Sequence, residues 1–128
     1  DRVQRLMRAY ARHQGTQASI ATLKDDLRNN DLTTLDEDTI HSYLEALRKI
    51  FVIEDMPAWN PNLRSKTAIR TANTRYFVDP SIATAALGLG PNDLLADLNT
   101  MGFFFEAMCA KAPSIPLYAT RIPSLSRD

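Results

Sequence analysis

The chain has 128 residues, 45% of them hydrophobic, and its 15 basic and 15 acidic side chains cancel to a formal charge of zero. A neutral chain of this length makes one domain, with at most a fragment of a second, and is not a polycation drawn to nucleic acid by bulk charge. Its single cysteine, Cys109, excludes an intramolecular disulfide and a zinc site built on paired cysteines, and it suits a reducing cytosol. No apolar run approaches the roughly 18 residues that span a bilayer. No basic start with an apolar middle and a small-residue cleavage site marks a signal peptide. The expectation is therefore a cytoplasmic protein without a membrane partner. The first residue is Asp1 rather than Met, which reads as a piece of a longer protein.

Asp1 to Gln14 reads as a helix stopped by Gly15. Val3, Leu6, Met7 and Tyr10 share one face, and Arg2, Arg5, Arg8 and Arg12 lie opposite, as a basic stripe facing water, a phosphate or a neighbouring domain. Ser19 caps a second helix running to about Arg28, with Ile20, Leu23 and Leu27 inward. Asn29-Asn30-Asp31 ends it, and Leu32 and Leu35 are expected to drop into the core.

The stretch Thr34 to Met56 organises the rest. Thr34 with Glu37, or Asp36 alone, offers oxygens to the first free N–H groups of a third helix. Ile40, Tyr43, Leu44, Leu47, Ile50 and Phe51 then recur at helical spacing, and Arg48 and Lys49 suit its C-terminal dipole. Phe51 to Met56 is a first strand. Pro57 to Asn62 breaks it, with Trp59 as a packing anchor. Tyr76-Phe77-Val78 is a second strand, closed by Asp79-Pro80. Three helices followed by two strands with a long polar connection predict a mostly α fold with a small β-hairpin wing, a winged helix-turn-helix, followed by short C-terminal helices. A helix from Ser81 to Leu87 ends at Gly88 and Gly90. Another starts with Pro91 at its first position and reaches Leu98. Met101 to Ala110 is apolar on nearly every side and should be buried in a complete protein, so an open copy would pair with a neighbour, for instance as a homodimer. The division expected is a winged-helix domain over 1–80, a helical segment over 81–112 and an irregular tail over 113–128.

No complete catalytic constellation is present. There is no phosphate loop, and Gly88-Leu89-Gly90 lacks the lysine one needs. His13 and His41 have no ligand-spaced partner, the acids Asp36, Glu37 and Asp38 suit the helix dipole, and apolar neighbours make Cys109 inert. Charge is nevertheless segregated: residues 36–55 hold six acids and two bases, whereas residues 60–78 hold Arg64, Lys66, Arg70 and Arg75 and no acid. A helix-turn-helix reads bases with the N-terminal part of its recognition helix, and here that part is Asp36-Glu37-Asp38, which phosphates repel. Any DNA contact is expected to be weak and nonspecific, through Arg2, Arg5, Arg8, Arg12, Arg64, Lys66, Arg70 and Arg75 on phosphates.

With these elements placed, Ser19 to Glu106 resembles the C-terminal region of prokaryotic AAA-type ATPases, a region of unknown function that follows the ATPase module. The residues carrying the resemblance are Tyr43-Leu44-x-x-Leu47, the strand Val52 to Met56, Pro57-Ala58-Trp59-Asn60, Arg64 and Lys66, Tyr76-Phe77-Val78-Asp79, and a Gly-x-Phe-Glu helix start at Gly102 with Phe105-Glu106. The resemblance implies a winged helix followed by the start of a restriction-endonuclease-like region, in which Glu106 matches an acid on the first helix. The acidic strand motif that should follow Glu106 is absent, so no nuclease activity is expected. ATP and magnesium are implied only for an ATPase module before Asp1, which would also be the chief partner, and the chain itself is expected to carry no cofactor. The other readings are a free-standing winged-helix transcription regulator and an adaptor that uses the fold for protein contacts alone.

Overall fold

The computed structural model describes residues 1–57 and 73–111. Its elements in order are α1 (Arg2–Arg12), α2 (Ile20–Asn30), α3 (Glu37–Lys49), β1 (Ile53–Met56), β2 (Thr74–Phe77), α4 (Pro80–Leu87), α5 (Pro91–Ala96) and α6 (Leu98–Lys111). The described residues are mostly helical, with one two-stranded antiparallel sheet among them, in which Ile53 faces Phe77 and Asp55 faces Arg75.

The helix ends follow from local chemistry. Ser19 Oγ accepts the Thr22 N–H at 3.1 Å and caps α2. Asp36 holds the N-cap position of α3, where its carboxylate accepts the Thr39 hydroxyl at 2.5 Å. That hydrogen bond, first among its causes, lowers the Asp36 pKa. Asp79 caps α4 through the Ser81 N–H at 2.8 Å, with Pro80 in the first turn where its missing N–H is harmless. Gly88 ends α4 at φ +70, a left-handed conformation that glycine adopts without a Cβ clash. Asp97 starts α6, accepting the Thr100 N–H at 3.2 Å and its hydroxyl at 2.6 Å.

One core unites these elements. Leu6, Ala9 and Tyr10 of α1 meet Leu23 and Leu27 of α2, Ile40, Leu44 and Leu47 of α3, Ile53, Phe77, Ala83 of α4 and Phe104 of α6. The Tyr10 and Phe77 rings meet edge-to-face at 5.1 Å. The core thus continues beyond residue 80, because α4 lies along α1. The turn after α1 runs beside β2: Gly15 N–H donates to the Arg75 carbonyl, and Arg75 N–H to the Thr16 carbonyl, each at 2.8 Å.

Several expectations need correction. Leu35 is buried, but Leu32 is 88% exposed, with a left-handed φ of 49°. The Thr33 N–H turns back to the Leu27 carbonyl, and this tight turn points Leu32 outward. Phe51 belongs to neither α3 nor β1: it sits in the turn between them at φ 58° and is exposed. The start of α6 is Leu98, so Gly102 lies inside the helix and not at its beginning. α2 runs two residues beyond Arg28, to Asn30.

Candidate functional site

Three of the four α1 arginines, all exposed, reach across the surface to groups of other elements. Arg12 bonds to Asp26 and to Asp31, with its Nη2 at 2.5 Å from each carboxylate. Asp26 also meets His13 Nε2 at 2.7 Å and accepts from Asn30 at 2.9 Å. Burial pushes the Asp26 pKa up, but hydrogen bonds from Arg12, Asn30 and His13 outweigh it and the net shift is downward. Arg5 donates to the Thr33 hydroxyl at 2.6 Å. Arg8 lies 3.6 Å from Asp31 and reaches the Ala86 carbonyl at 3.5 Å. Arg2 is exposed. The stripe is therefore a clasp that ties α1 to α2, to the turn after it and to α4, and not an uncommitted phosphate surface. Its acids were missed in the sequence, which gave Asp26 no role and Asp31 only that of ending α2.

A second polar node lies on the inner face of the sheet. Asp55 stands two residues after buried Ile53 on β1, so the strand's two-residue period puts both on the inner face. There its side chain is 11% exposed, and its Oδ2 meets Arg48 Nη2 at 2.6 Å and Arg75 Nη1 at 3.1 Å. Tyr10 donates to Asp55 Oδ1 at 3.1 Å, and its hydroxyl lies 3.2 Å from the Tyr76 carbonyl. Arg75 Nε also donates to the Ala18 carbonyl at 3.1 Å. Arg48 additionally pairs with Glu45 one turn earlier on α3. Desolvation raises the Tyr10 pKa, and the neighbouring Asp55 raises it further. Arg75, expected to be a phosphate contact, is thus a half-buried strut. A sequence signal existed: an acid on the inner face of a strand needs a cation, and Arg75 is its cross-strand partner.

The family-motif positions divide between core and caps. Leu44, Leu47 and Phe77 are buried, Tyr43 packs against the core, Tyr76 lies on the sheet, and Asp79 caps α4. Gly102 and Glu106 are exposed on α6. Trp59, Arg64, Lys66 and Arg70 lie outside the described residues. The outward positions of α3 are Glu37, Asp38, His41, Ser42, Ala46 and Lys49, so its accessible surface begins acidic.

The remaining conspicuous surface is apolar. On α6, Phe104 and Ala107 are buried, whereas Leu98, Met101, Phe103, Phe105 and Met108 are exposed. A cleft of about 270 Å³ separates part of α6 from α1, lined among others by Ala11, Gln14, Leu87 and Phe104. Gln14 Oε1 is a buried acceptor without a protein partner among the described residues. A larger cleft of about 710 Å³ opens beside the sheet, where Phe51 and Val78 flank the Arg48–Asp55 pair. Among the described residues, no group of three or more His, Cys, Asp or Glu side chains is arranged to hold a metal ion. No helix among them is long and apolar enough to cross a membrane.

Comparison with curated proteins and with solved structures returns no match. A family model does match, over residues 1–93, which takes in every element from α1 to α4 and the start of α5. The chain accordingly belongs to that family, a domain of unknown function (DUF8612).

Proposed function

We propose that this chain is a non-catalytic winged-helix contact module, joining proteins or domains and touching DNA at most weakly and without sequence preference. The observation that carries the reading is the disposition of charge. Arg5, Arg8, Arg12, Arg48 and Arg75 are engaged with groups of the chain itself, while the accessible start of α3 offers Glu37 and Asp38. A helix with that surface repels the backbone it would have to approach before reading bases. The winged-helix reading is supported by the order of three helices and an antiparallel strand pair, and by the turn at Gly15 and Thr16 that hydrogen-bonds to the outer edge of β2. The order of Tyr43-Leu44-x-x-Leu47, Tyr76-Phe77-x-Asp79 and Glu106 further supports its being the accessory part of an AAA-type ATPase, with the ATPase module as its natural partner.

Two measurements test this. Calorimetry with Mg-ATP should give no heat of binding, since the chain lacks a glycine loop and lysine to cradle phosphates; a micromolar dissociation constant contradicts the reading. The reading frame upstream of Asp1 should encode a Walker-type loop, and a frame without one favours a free-standing regulator.

A further inference from the structure

We infer that the cleft between α1 and α6 is a binding site for a small neutral aromatic molecule that carries one N–H or O–H donor. The cleft holds about 270 Å³, near the lower end of ligand pockets, which suits a single or fused ring. Much of its wall is apolar, with Ala11 of α1, Leu87 of α4 and the paired aromatics Phe103 and Phe104 of α6. Phenylalanine rings take another ring edge-to-face or offset.

Gln14 is the exception in this wall. It is 7% exposed, yet its Oε1 accepts no hydrogen bond from any described residue. A buried acceptor without a donor destabilises the folded state, and native folds keep few of them. The position is not loose. The Gln14 N–H donates to the Ala11 carbonyl at 3.3 Å, and the next N–H, that of Gly15, to the Arg75 carbonyl at 2.8 Å. The terminal torsion of a glutamine is nevertheless soft, so the oxygen can turn toward a donor that enters the cleft.

The described residues beside it supply no such donor. The hydroxyls of Thr16 and Thr100 donate to the His13 carbonyl and to Asp97, each at 2.6 Å, which leaves a ligand only their lone pairs. The Arg12 guanidinium is taken by Asp26 and Asp31. A charged ligand would therefore lose its hydration without a free partner in the wall. What fits is a neutral ring whose donor meets Gln14 Oε1. This goes beyond the contact-module reading and does not rest on it.

The test titrates indole into the isotope-labelled 128-residue chain, followed by NMR. Benzofuran runs alongside, with the same shape and an ether oxygen in place of the N–H. Indole should bind with a dissociation constant of about 0.1–1 mM, as befits so few atoms, and should shift the signals of Gln14, Leu87 and Phe103. Benzofuran should bind at least about tenfold more weakly, because it leaves the oxygen unpaired. Gln14→Met keeps the length of the side chain and removes the acceptor. That variant should melt at a higher temperature than wild type and should bind the two rings alike. N-acetyltryptophanamide carries the same ring on a peptide backbone and should bind no better than indole. A gain of about tenfold for it would assign the cleft to a partner's side chain and refute a small-molecule site. Wild type that binds no indole at millimolar concentration, or binds benzofuran equally well, overturns the proposal. So does a Gln14→Met chain less stable than wild type, since the oxygen would then already have a donor in the folded chain.

Discussion

The Tyr10 hydroxyl donates to Asp55 Oδ1 at 3.1 Å, joining the last turn of α1 to the inner face of a strand 45 residues further on. Asp55 holds Arg48 of α3 and Arg75 of β2 with its other oxygen, so one carboxylate fixes three elements. Tyr10→Phe removes one neutral donor and leaves both arginines paired, so it should lower unfolding free energy by about 1 kcal/mol. Asp55→Ala strands two guanidinium groups, one of them largely buried, and should lower it by about 2–4 kcal/mol. Urea unfolding of both variants checks the order; equal losses contradict a charged centre.

The same bond sets an alkaline limit. The folded pKa of Tyr10 is raised above its unfolded value of 10.0. Its contribution is therefore full below about pH 10 and is lost as pH rises from there toward the folded value, because only the unfolded state releases the proton easily. Wild type should lose stability above about pH 10, and Tyr10→Phe should show a shallower decline over that range.

The clasp between α1 and α2 should be separable by a double-mutant cycle. Arg12 and Asp26 are joined in a two-pronged contact, and the Asp26 side chain is 8% exposed. Arg12→Ala and Asp26→Ala should couple by about 1–2 kcal/mol, above the value usual for exposed pairs. Because the folded Asp26 pKa is lowered, its contribution is present above the unfolded carboxylate value and is lost as pH falls through the folded one. The coupling should accordingly shrink below about pH 4.

Leu32 is strained and exposed together, with φ 49° and 88% of its surface in water. Asparagine tolerates that conformation, so Leu32→Asn should stabilise the chain by about 0.5–1 kcal/mol. Thermal denaturation reads the result, and a loss of stability means that Leu32 packs against something in solution.

What could be read from the sequence was whatever local rules decide. Ser19, Pro91 and Gly88 punctuate helices through their own side chains or backbone, and the core positions Leu23, Leu27, Ile40, Leu44 and Leu47 follow helical period. Leu32 was misplaced because an apolar residue in a left-handed turn leaves no compositional mark. The α1 arginines looked solvated because Asp26, Asp31 and Thr33 are brought to them by folding, and no periodicity links residues so far apart. Arg75 failed for the same reason, although Asp55 on an inner strand face asked for a cation. The start of α6 was missed because Asp97 caps it immediately after α5, leaving no polar break to read.

The most direct test of the contact-module account is a titration of the chain against several unrelated duplexes at two salt concentrations. The account predicts weak binding, equal across sequences and falling steeply with salt as phosphate contacts release counterions. Replacing Arg64, Lys66 and Arg70 with Ala should flatten that salt slope, and replacing Asp36, Glu37 and Asp38 with Ala should strengthen binding. A preference of about a thousandfold for one duplex, of the order that separates specific from nonspecific binding, would show that α3 reads bases and would contradict the account.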